Sequence, residues 1–318
     1  MKNILIIGGG AMGSAFSIPC LDNGNNVTIT EPYNKIFIKN LNSKRKFHST
    51  LKLHLPKKLK FKEYSKLILK EKFDLIVIAL SLAGIDFIGE ELKSQKIKTP
   101  ILVLTKGLKY DKKRNKILTI SELFKKNYNL FNVSVLKGPC LAKELANKNT
   151  TSVVVANKNI KMAKLIGKKI STKYYLIEFS KDVIGVEICS AIKNIYAMII
   201  GSGQNFNSSS NLFQKSIIEM KYLIRYFKGD NSTILGLAGV GDLYVSAVGG
   251  RNSKMGSYLG KGFAFKEAKK RFMPKDTVEG EQLAREIAPY ILKKVNKKNI
   301  PLMYHLLKII LNNKKFNF

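Results

Sequence analysis

Residues 4–13 read Ile4-Leu5-Ile6-Ile7-Gly8-Gly9-Gly10-Ala11-Met12-Gly13, and this stretch decides the fold. The four aliphatic residues predict a buried strand, and the uncharged residues after the glycines predict a helix. Glycines spaced as Gly-x-Gly-x-x-Gly allow a tight turn, close approach to a pyrophosphate and anion binding at the helix N-terminus. The stretch therefore predicts a dinucleotide site that includes Gly8, Gly10, Ala11, Met12 and Gly13. The alternative is a glycine-rich turn without a ligand.

Short apolar or β-branched runs alternate with helical stretches through the first 180 residues. The strands are predicted at 3–7, 26–30, 74–80, 101–104, 132–136, 151–156 and 174–178. The predicted helices include 11–23, 83–93 and 160–170. Such alternation is typical of a doubly wound α/β domain. We therefore predict an N-terminal doubly wound Rossmann-type domain over residues 1–180.

The pattern changes after residue 180, where no further strand is evident. One long apolar helix is predicted at 182–200, and the Gly/Ser/Asn-rich stretch 201–211 is predicted to be a loop. Further helices are predicted at 212–227, 251–259, 264–272, 280–295 and 301–312. The sequence therefore predicts an all-helical substrate-binding and catalytic domain over residues 181–318.

The charge balance is strongly basic. The 318 residues include 56 Lys+Arg and 22 Asp+Glu, which gives a net charge of +34. Only six of the basic residues are arginine, whereas proteins that recognise base edges favour clustered arginine. We therefore expect no dedicated nucleic-acid partner, although the positive field would attract an anionic substrate or cofactor.

Cysteine and histidine usage excludes several kinds of site. The three cysteines are far apart and form no CxxC pair, which favours a reducing cytoplasm over a disulfide framework. The three histidines are also separated, and none lies near the glycine or lysine motifs in sequence. We therefore expect neither a histidine general base nor a metal site. Glycines interrupt the uncharged stretch 4–21, so we expect no signal peptide, and no membrane span is expected elsewhere.

Glu31 ends the second predicted strand, 18 residues after Gly13. This spacing is close to that of the acidic residue that binds the adenosine ribose in dinucleotide-binding domains. A carboxylate there would accept from both ribose hydroxyls and repel a 2′-phosphate. Glu31 therefore predicts NAD as the cofactor, although a solvated acid at the strand end is the alternative.

Two lysines stand in unusual settings. Lys106 follows the strand 101–104, and so lies at a carboxyl end of the sheet, where such folds bind ligands. Lys193 precedes Asn194 within the long apolar helix. A lysine held among apolar side chains has a lowered pKa and can act as a general base. The alternative for any lysine in this chain is a solvated side chain.

Two glycine-rich turns interrupt the helical half. The second turn, Gly249-Gly250-Arg251-Asn252, combines backbone donors, a fork-shaped cation and an amide, which together suit a phosphate monoester. The first turn, Gly236–Leu243, contains Asp242, which could orient Lys193 or accept from a substrate hydroxyl. The alternative is that both are helix-connecting turns.

These motifs, in this order, resemble the NAD(P)-dependent glycerol-3-phosphate dehydrogenases over nearly the full chain. Further matching segments are Gly138–Glu144, Ile184–Glu187, Val278–Gly280 and Ile300–Leu302. The resemblance implies a helical domain of the 6-phosphogluconate dehydrogenase-like type. It also implies reversible hydride transfer between NAD(P)H and dihydroxyacetone phosphate, giving sn-glycerol 3-phosphate for glycerophospholipid synthesis.

The resemblance assigns roles to individual residues. Lys193 would be the general base on the C2 hydroxyl, Lys106 would contact both substrate and cofactor, and Asn194 and Asp242 would complete the catalytic site. The substrate contacts that it implies are Lys106, Gly138, Cys140, Lys193, Asp242, Ser246 and, for the phosphate, Gly250, Arg251 and Asn252. The further cofactor contacts that it implies are Lys106, Ala142, Arg251 and Glu279.

The chain departs from the family pattern in several places. Ala11-Met12 replaces the usual Ser-Trp, and Cys140 replaces a serine. Glu31 and Pro32 stand where a basic residue is common, so NAD is the expected cofactor and NADP is left open. The expected partner is a small phosphorylated substrate, and the oligomeric state is left open, with a homodimer as the candidate.

Two alternatives from other classes remain. A β-hydroxyacid dehydrogenase of the 6-phosphogluconate dehydrogenase type shares the two-domain plan, but it places an asparagine several residues after the lysine and lacks Gly250-Arg251-Asn252. A non-catalytic basic dinucleotide- or RNA-binding regulator would have no need of a buried lysine. Turnover of dihydroxyacetone phosphate separates the regulator from an enzyme.

Overall fold

The computed structural model describes residues 2–42 and 46–315. In this part of the chain the strands are β1 (Asn3–Ile7), β2 (Asn26–Glu31), β3 (Phe47–His48), β4 (Leu53–His54), β5 (Lys60–Glu63), β6 (Leu75–Ile78), β7 (Ile101–Val103), β8 (Leu108–Asp111), β9 (Lys116–Thr119), β10 (Val133–Lys137), β11 (Thr151–Ala156) and β12 (Tyr175–Ser180).

The helices of the same described residues fall mostly in the second half of the chain. They are α1 (Ala11–Asp22), α2 (Lys35–Leu41), α3 (Ile85–Ser94), α4 (Ile120–Tyr128), α5 (Ala142–Ala146), α6 (Ile160–Ile170), α7 (Val183–Gly201), α8 (Phe206–Tyr226), α9 (Asp242–Gly249), α10 (Arg251–Gly260), α11 (Phe265–Phe272), α12 (Glu279–Lys294) and α13 (Pro301–Asn312).

The chain forms two compact units. The first takes its residues from Met1–Lys106 and Ile120–Val183, and the second from Gly107–Thr119 and Ile184–Phe318. The predicted fold class is confirmed, since an α/β Rossmann-type unit is followed by a mainly helical one. The division at residues 180 and 181 stays a proposal, because the β8–β9 hairpin belongs to the second unit although it precedes that division.

The hairpin joins the second unit through α12. The Tyr110 amide donates to Glu286 Oε1 at 2.9 Å, and the rings of Tyr110 and Tyr290 are 6.2 Å apart. Neither β8 nor β9 was predicted from the sequence, because the residues of α12 that the hairpin contacts lie more than 170 residues further along the chain.

The first unit is built on an eight-stranded sheet in the order β12-β11-β10-β7-β6-β1-β2-β5. Six neighbouring strands of this sheet are parallel, in the spatial order β5-β2-β1-β6-β7-β10. Numbered by their order along the chain, these six strands are arranged 3-2-1-4-5-6. The strand order reverses between β1 and β6, and ligands of such sheets bind at the carboxyl ends of the strands at this point. β11 runs antiparallel to β10, so the complete sheet is mixed rather than parallel.

The central strands are covered on both faces. Residues 4–7 of β1 and 75–78 of β6 are almost completely buried, which explains why uninterrupted apolar runs predicted them. β5 was missed because it is an edge strand that buries only Phe61, between Lys60 and Lys62. Charged edge strands of this kind discourage pairing with other chains and carry no apolar run to detect.

The predicted loop 201–211 is wrong beyond its first residues, because α8 begins at Phe206. Asn205 caps this helix: its side chain accepts from the Ser208 amide at 2.9 Å, and the Ser208 hydroxyl accepts from the Asn205 amide. Asn and Ser are frequent in loops, but in this capping box they start a helix.

α7 is the core helix of the second unit. By length and composition alone it could cross a membrane, but 94% of its most apolar window is buried inside the protein. Such burial is typical of the core helix of a globular domain, and one candidate among residues 2–42 and 46–315 is weak evidence for a membrane span.

α10 approaches α7 so closely that side chains would not fit at the contact. A Cβ at Gly256 would lie 1.9 Å from the Met198 carbonyl oxygen. A Cβ at Gly260 would lie 2.2 Å from the Ser202 carbonyl oxygen in the same way. Glycine is therefore required along this contact.

We predict that Gly256→Ala lowers the free energy of unfolding by about 1–3 kcal/mol, the usual cost of overpacking a core. The control is Gly249→Ala at the end of α9, where no atom of the described residues lies within 4 Å of the added Cβ. That variant should match the wild type or gain up to about 1 kcal/mol, since alanine favours helix. Thermal unfolding of both variants measures the difference, and equal stabilities would contradict the close contact.

Candidate active site

The predicted site residues fall into two groups, one in each compact unit. The group in the first unit is Gly8, Gly10, Ala11, Met12, Gly13, Glu31, Lys106, Gly138, Cys140 and Ala142. The group in the second unit is Lys193, Asn194, Asp242, Ser246, Gly250, Arg251, Asn252 and Glu279.

The turn between β1 and α1 requires glycine at two positions. Gly8 has φ +116°, and a Cβ there would lie 2.5 Å from the Ala79 carbonyl oxygen. A Cβ at Gly13 would lie 2.0 Å from the Gly8 carbonyl oxygen. The first glycine therefore makes the turn, and the last lets α1 pack against the end of β1.

Gly10 is different, because nothing in the described residues explains its lack of a side chain. It has extended backbone angles, is exposed, and no described atom lies within 4 Å of a Cβ built on it. It is also the N-cap of α1, where no described side chain accepts from the first amides. These amides and the open space in front of Gly10 fit an anion such as a dinucleotide pyrophosphate.

Glu31 lies at the end of β2, against this turn. Its Oε2 accepts from the Gly9 amide at 2.9 Å, and its Oε1 accepts from the Tyr33 amide at 3.0 Å. Glu31 is therefore half-buried and hydrogen-bonded to two backbone amides beside the turn. Its predicted contact with a ribose stays a prediction.

His48, which is distant from the glycine motif in sequence, also contacts the turn in the folded chain. His48 Nε2 lies 3.2 Å from the Gly9 carbonyl oxygen, and Nδ1 accepts from the Leu51 amide at 3.2 Å. Burial lowers the pKa of His48, and its contacts with backbone carbonyls oppose this shift. Thirty-nine residues separate His48 from Gly9, so no local pattern could reveal the contact.

Lys106 follows β7 at the carboxyl end of the sheet, as predicted. Its Nζ lies 3.4 Å from the carbonyl oxygen of Gly138, a residue with φ +125°. The sequence analysis missed Lys137, which is buried and whose Nζ donates to the carbonyl oxygen of Thr105 at 2.6 Å. A second lysine therefore fixes the backbone next to Lys106.

Two other predicted residues of the first unit lie beside the glycine turn. The Cys140 thiol is 4.0 Å from the Met12 sulfur. Ala142 begins α5, which packs against α1. The structure therefore brings Met12 and Cys140 together, and Ala142 packs with them against the core of the first unit.

Lys193 is the centre of the second group. Its side chain is 8% exposed, and its Nζ donates to Asp242 Oδ1 at 2.8 Å and to the Ser246 hydroxyl. Asp242 and Ser246 lie one turn apart on α9. The pair therefore fixes an amine nitrogen beside a carboxylate in a buried place, an arrangement that suits proton transfer.

Asn194 organises a second polar network. Its Nδ2 donates to Glu279 Oε2 at 3.1 Å, and its Oδ1 accepts from Asn252 Nδ2 at 3.0 Å. Asn252 Oδ1 accepts in turn from the Gly280 amide at 2.8 Å, so both ends of this buried side chain are engaged. In this arrangement Asn252 positions Asn194, and its predicted phosphate contact stays a prediction.

Arg251 begins α10, and Gly250 is the N-cap of this helix. A Cβ at Gly250 would lie 2.5 Å from the Ser246 carbonyl oxygen, and the Gly250 amide donates to the same oxygen. The Arg251 side chain is 53% exposed, and Nη2 lies 3.4 Å from Glu279 Oε1. The guanidinium is therefore oriented and reachable, and the first amides of α10 have no side-chain cap among the described residues.

The glycine-rich turn before Asp242 is irregular. Residues Leu237–Gly241 form a wide helical turn in which Gly239 departs from helical angles, and α9 starts directly at Asp242. The sequence analysis predicted a turn here but did not predict α9. Among residues 2–42 and 46–315, no group of three or more His, Cys, Asp or Glu side chains could hold a metal ion.

The comparisons with known proteins agree over almost the whole chain. The family model of the NAD-dependent glycerol-3-phosphate dehydrogenase N-terminus matches residues 3–163, and that of the C-terminus matches residues 182–317. A relative in Archaeoglobus fulgidus, named NADP(+)-dependent glycerol-3-phosphate dehydrogenase, is 32% identical over 83% of this chain and 82% of its own length.

A second relative is a glycerol-3-phosphate dehydrogenase, NAD(P)+, of Francisella tularensis subsp. novicida, 30% identical over 97% of this chain and 93% of its own length. The solved glycerol-3-phosphate dehydrogenase of Coxiella burnetii is 24% identical, with a TM-score of 0.85 over 99% of this chain and 96% of its own. The Plasmodium falciparum structure is 22% identical, with a TM-score of 0.86 over 99% and 92% of the two chains. These two structures share the fold.

We predict that Asp242→Asn lowers the free energy of unfolding by about 3–5 kcal/mol, because it leaves the Lys193 ammonium buried without its carboxylate. The double variant Lys193→Met/Asp242→Leu should be more stable than Asp242→Asn, since it removes both charges. The control is Glu71→Gln, which breaks the exposed Lys62–Glu71 pair and should change stability by less than about 1 kcal/mol. Denaturant unfolding measures all three, and a double variant less stable than Asp242→Asn would refute the coupling.

Proposed function

The chain belongs to the NAD-dependent glycerol-3-phosphate dehydrogenase family, and on this premise we propose how its residues carry out the reaction. It is an NAD(P)-dependent oxidoreductase that interconverts dihydroxyacetone phosphate and sn-glycerol 3-phosphate. The observation that carries our assignment is the buried Lys193–Asp242 pair. Lys193 directly precedes Asn194, which donates to Glu279, and Glu279 in turn contacts Arg251. Neither the β-hydroxyacid dehydrogenase nor the non-catalytic regulator is supported by these relatives.

The cofactor would be held by the first unit. The α1 amides at Ala11 and Met12 and the open face of Gly10 would bind the pyrophosphate, and Glu31 would bind the ribose hydroxyls. When bound, NAD(P)H supplies the hydride that reduces C2 of the substrate. We also assign cofactor contacts to Lys106, Ala142, Arg251 and Glu279, as the family resemblance implies.

Lys193 supplies the proton. During reduction of dihydroxyacetone phosphate, the C2 oxygen gains negative charge and accepts a proton from the Lys193 ammonium. In the oxidative direction, the neutral amine of Lys193 accepts the proton of the C2 hydroxyl. Asp242 and Ser246 hold Nζ in place for both directions, and Asp242 stabilises the charged form.

The phosphate of the substrate would bind at the start of α10. Because the Gly250 amide donates to the Ser246 carbonyl oxygen, the backbone donors that we assign to the phosphate are the next amides of the first turn, beginning with Arg251 and Asn252. The Arg251 guanidinium adds charge-assisted hydrogen bonds, and Glu279 orients it. Gly250 serves by its small size, since a Cβ would collide with the backbone of α9. Lys106, Gly138 and Cys140 are the substrate contacts that we propose from the first unit.

We propose further that the enzyme acts in the cytoplasm and supplies sn-glycerol 3-phosphate for phospholipid synthesis. Three widely separated cysteines suit a reducing compartment. A homodimer is the assembly that we propose, and light scattering of the purified protein tests it.

We predict that Lys193→Met lowers kcat for reduction of dihydroxyacetone phosphate by about 10²- to 10⁴-fold, the range for loss of a positioned acid or base. The Kd of NADH should change little, because Lys193 does not belong to the dinucleotide turn. Lys215→Met, at an exposed position of α8, is the control and should keep wild-type kcat. Steady-state kinetics and cofactor titration measure both constants, and a Lys193→Met variant with normal kcat would exclude the proton role.

We predict that NADH has a kcat/KM about tenfold or more above that of NADPH, because the oriented Glu31 carboxylate opposes a 2′-phosphate. Glu31→Gln keeps an oxygen acceptor but removes the charge, so the NADH preference should narrow or invert. Glu31→Ala also removes the contacts with the Gly9 and Tyr33 amides, so it should weaken both cofactors. If the unmodified enzyme prefers NADPH, or if Glu31→Gln leaves the ratio of the two kcat/KM values unchanged, Glu31 does not contact the 2′ position. Lys35 or Lys39 would then be assigned that contact.

A further inference from the structure

Three consecutive glycines form the turn between β1 and α1, and the rotational freedom of this backbone works against binding of a pyrophosphate. The peptide that joins Gly9 to Gly10 has no Cβ on either side, so rotation of this peptide meets little steric resistance. In one orientation the Gly10 amide faces the open side of the turn, and in the opposite orientation the Gly9 carbonyl oxygen does. The first orientation attracts a pyrophosphate and the second repels it.

The structure holds the Gly9 carbonyl with two donors from the protein interior. The Ser14 hydroxyl donates to this oxygen at 2.8 Å, and His48 Nε2 lies 3.2 Å from it. The peptide between Gly9 and Gly10 is trans, so the Gly10 N–H points opposite to the Gly9 C=O. Gly10 is exposed, and its amide donates to no described residue.

We propose that His48 is a positioning residue for the dinucleotide turn: it binds the Gly9 carbonyl and so keeps the Gly10 amide directed at the cofactor pyrophosphate. This inference rests on the proposed function, because it concerns the same cofactor site. It assigns a role in cofactor affinity to a residue that touches neither the substrate nor the reacting atoms.

The surroundings of His48 select the tautomer that this role needs. Nδ1 accepts from the Leu51 amide, so the ring proton must be on Nε2, which then donates to Gly9. The Phe37 ring stands edge-on to the imidazole at 5.3 Å, and a Cβ at Gly9 would lie 3.2 Å from Phe37 Cε1. His48 is 1% exposed, so water does not compete for the Gly9 carbonyl.

The amide of Gly9 has a different partner from its carbonyl. Its amide donates to Glu31 at 2.9 Å, so the peptides before and after Gly9 have different partners. Loss of Glu31 would therefore affect the ribose contact and the preceding peptide, whereas loss of His48 would affect only the peptide that carries the Gly10 amide. This separation makes the role of His48 measurable.

Two variants of His48 separate the two ring nitrogens. In His48→Gln, the side-chain amide can reach the position of Nε2 and donate to Gly9. In His48→Asn, the side-chain oxygen replaces Nδ1 as acceptor for Leu51, but nothing reaches Gly9. We expect the Kd of NADH to rise about 3- to 10-fold in His48→Asn, which corresponds to the loss of one hydrogen bond, and to stay within about twofold in His48→Gln.

Ser14→Ala removes the second donor to Gly9 without changing His48, and it keeps the test decisive if a His48 variant does not fold. We expect Ser14→Ala to weaken NADH binding, and Ser14→Ala/His48→Asn to weaken it more than either change alone. The KM of dihydroxyacetone phosphate and kcat at saturating NADH should stay within about twofold of wild type in every folded variant.

Fluorescence titration of NADH and thermal unfolding, run on the same samples, decide the outcome. If wild type binds NADH while folded His48→Asn and Ser14→Ala bind it equally well, the positioning role is wrong. If Gln and Asn at position 48 weaken NADH binding equally while unfolding at the same temperature, the role is also wrong. If wild type itself binds neither NADH nor NADPH, the proposed function fails instead.

Discussion

In each compact unit, two backbone segments approach so closely that no Cβ fits between them. This close contact places the candidate site residues of that unit. In the first unit, Gly13 packs against the Gly8 carbonyl and places the uncapped start of α1 at the end of β1. In the second, Gly256 packs against the Met198 carbonyl and holds α10 against α7. The first residues of α10 thereby reach Asn194, through Asn252. Glycine at these contacts therefore lets backbone amides and polar side chains lie closer together than larger residues would allow.

Four polar side chains of the second unit, Lys193, Asp242, Asn194 and Asn252, are buried and hydrogen-bonded, and this makes them a prepared site. Burial of an unpaired ammonium would be strongly unfavourable, and Asp242 offsets that cost for Lys193. Asn194 and Asn252 are likewise engaged through both ends of their amides. Groups fixed in this way need little rearrangement when charge develops on a substrate oxygen. The same contacts that stabilise the unit therefore orient its chemistry.

Local patterns in the sequence predicted much of this architecture. The aliphatic run and glycine spacing predicted β1, the turn and α1, and the lysine within an apolar helix predicted the buried position of Lys193. Features that depend on distant contacts were not predictable: His48 reaches Gly9 from 39 residues away, and the β8–β9 hairpin packs on α12. The start of α8 was missed for another reason, since its cap uses residues that are equally common in loops.

The high net charge and the local charges of the cofactor site act at different ranges. Most of the excess lysines lie on the surface, where salt screens their field beyond about 8 Å. That field speeds the approach of any anion and favours NADPH over NADH only weakly. At the proposed ribose site Glu31 would act at contact distance, and the Gly9 and Tyr33 amides donate to its carboxylate and hold its orientation. A charge that cannot move cannot relieve its repulsion of a 2′-phosphate, so at the proposed ribose site the single oriented carboxylate would outweigh the diffuse positive field in cofactor choice.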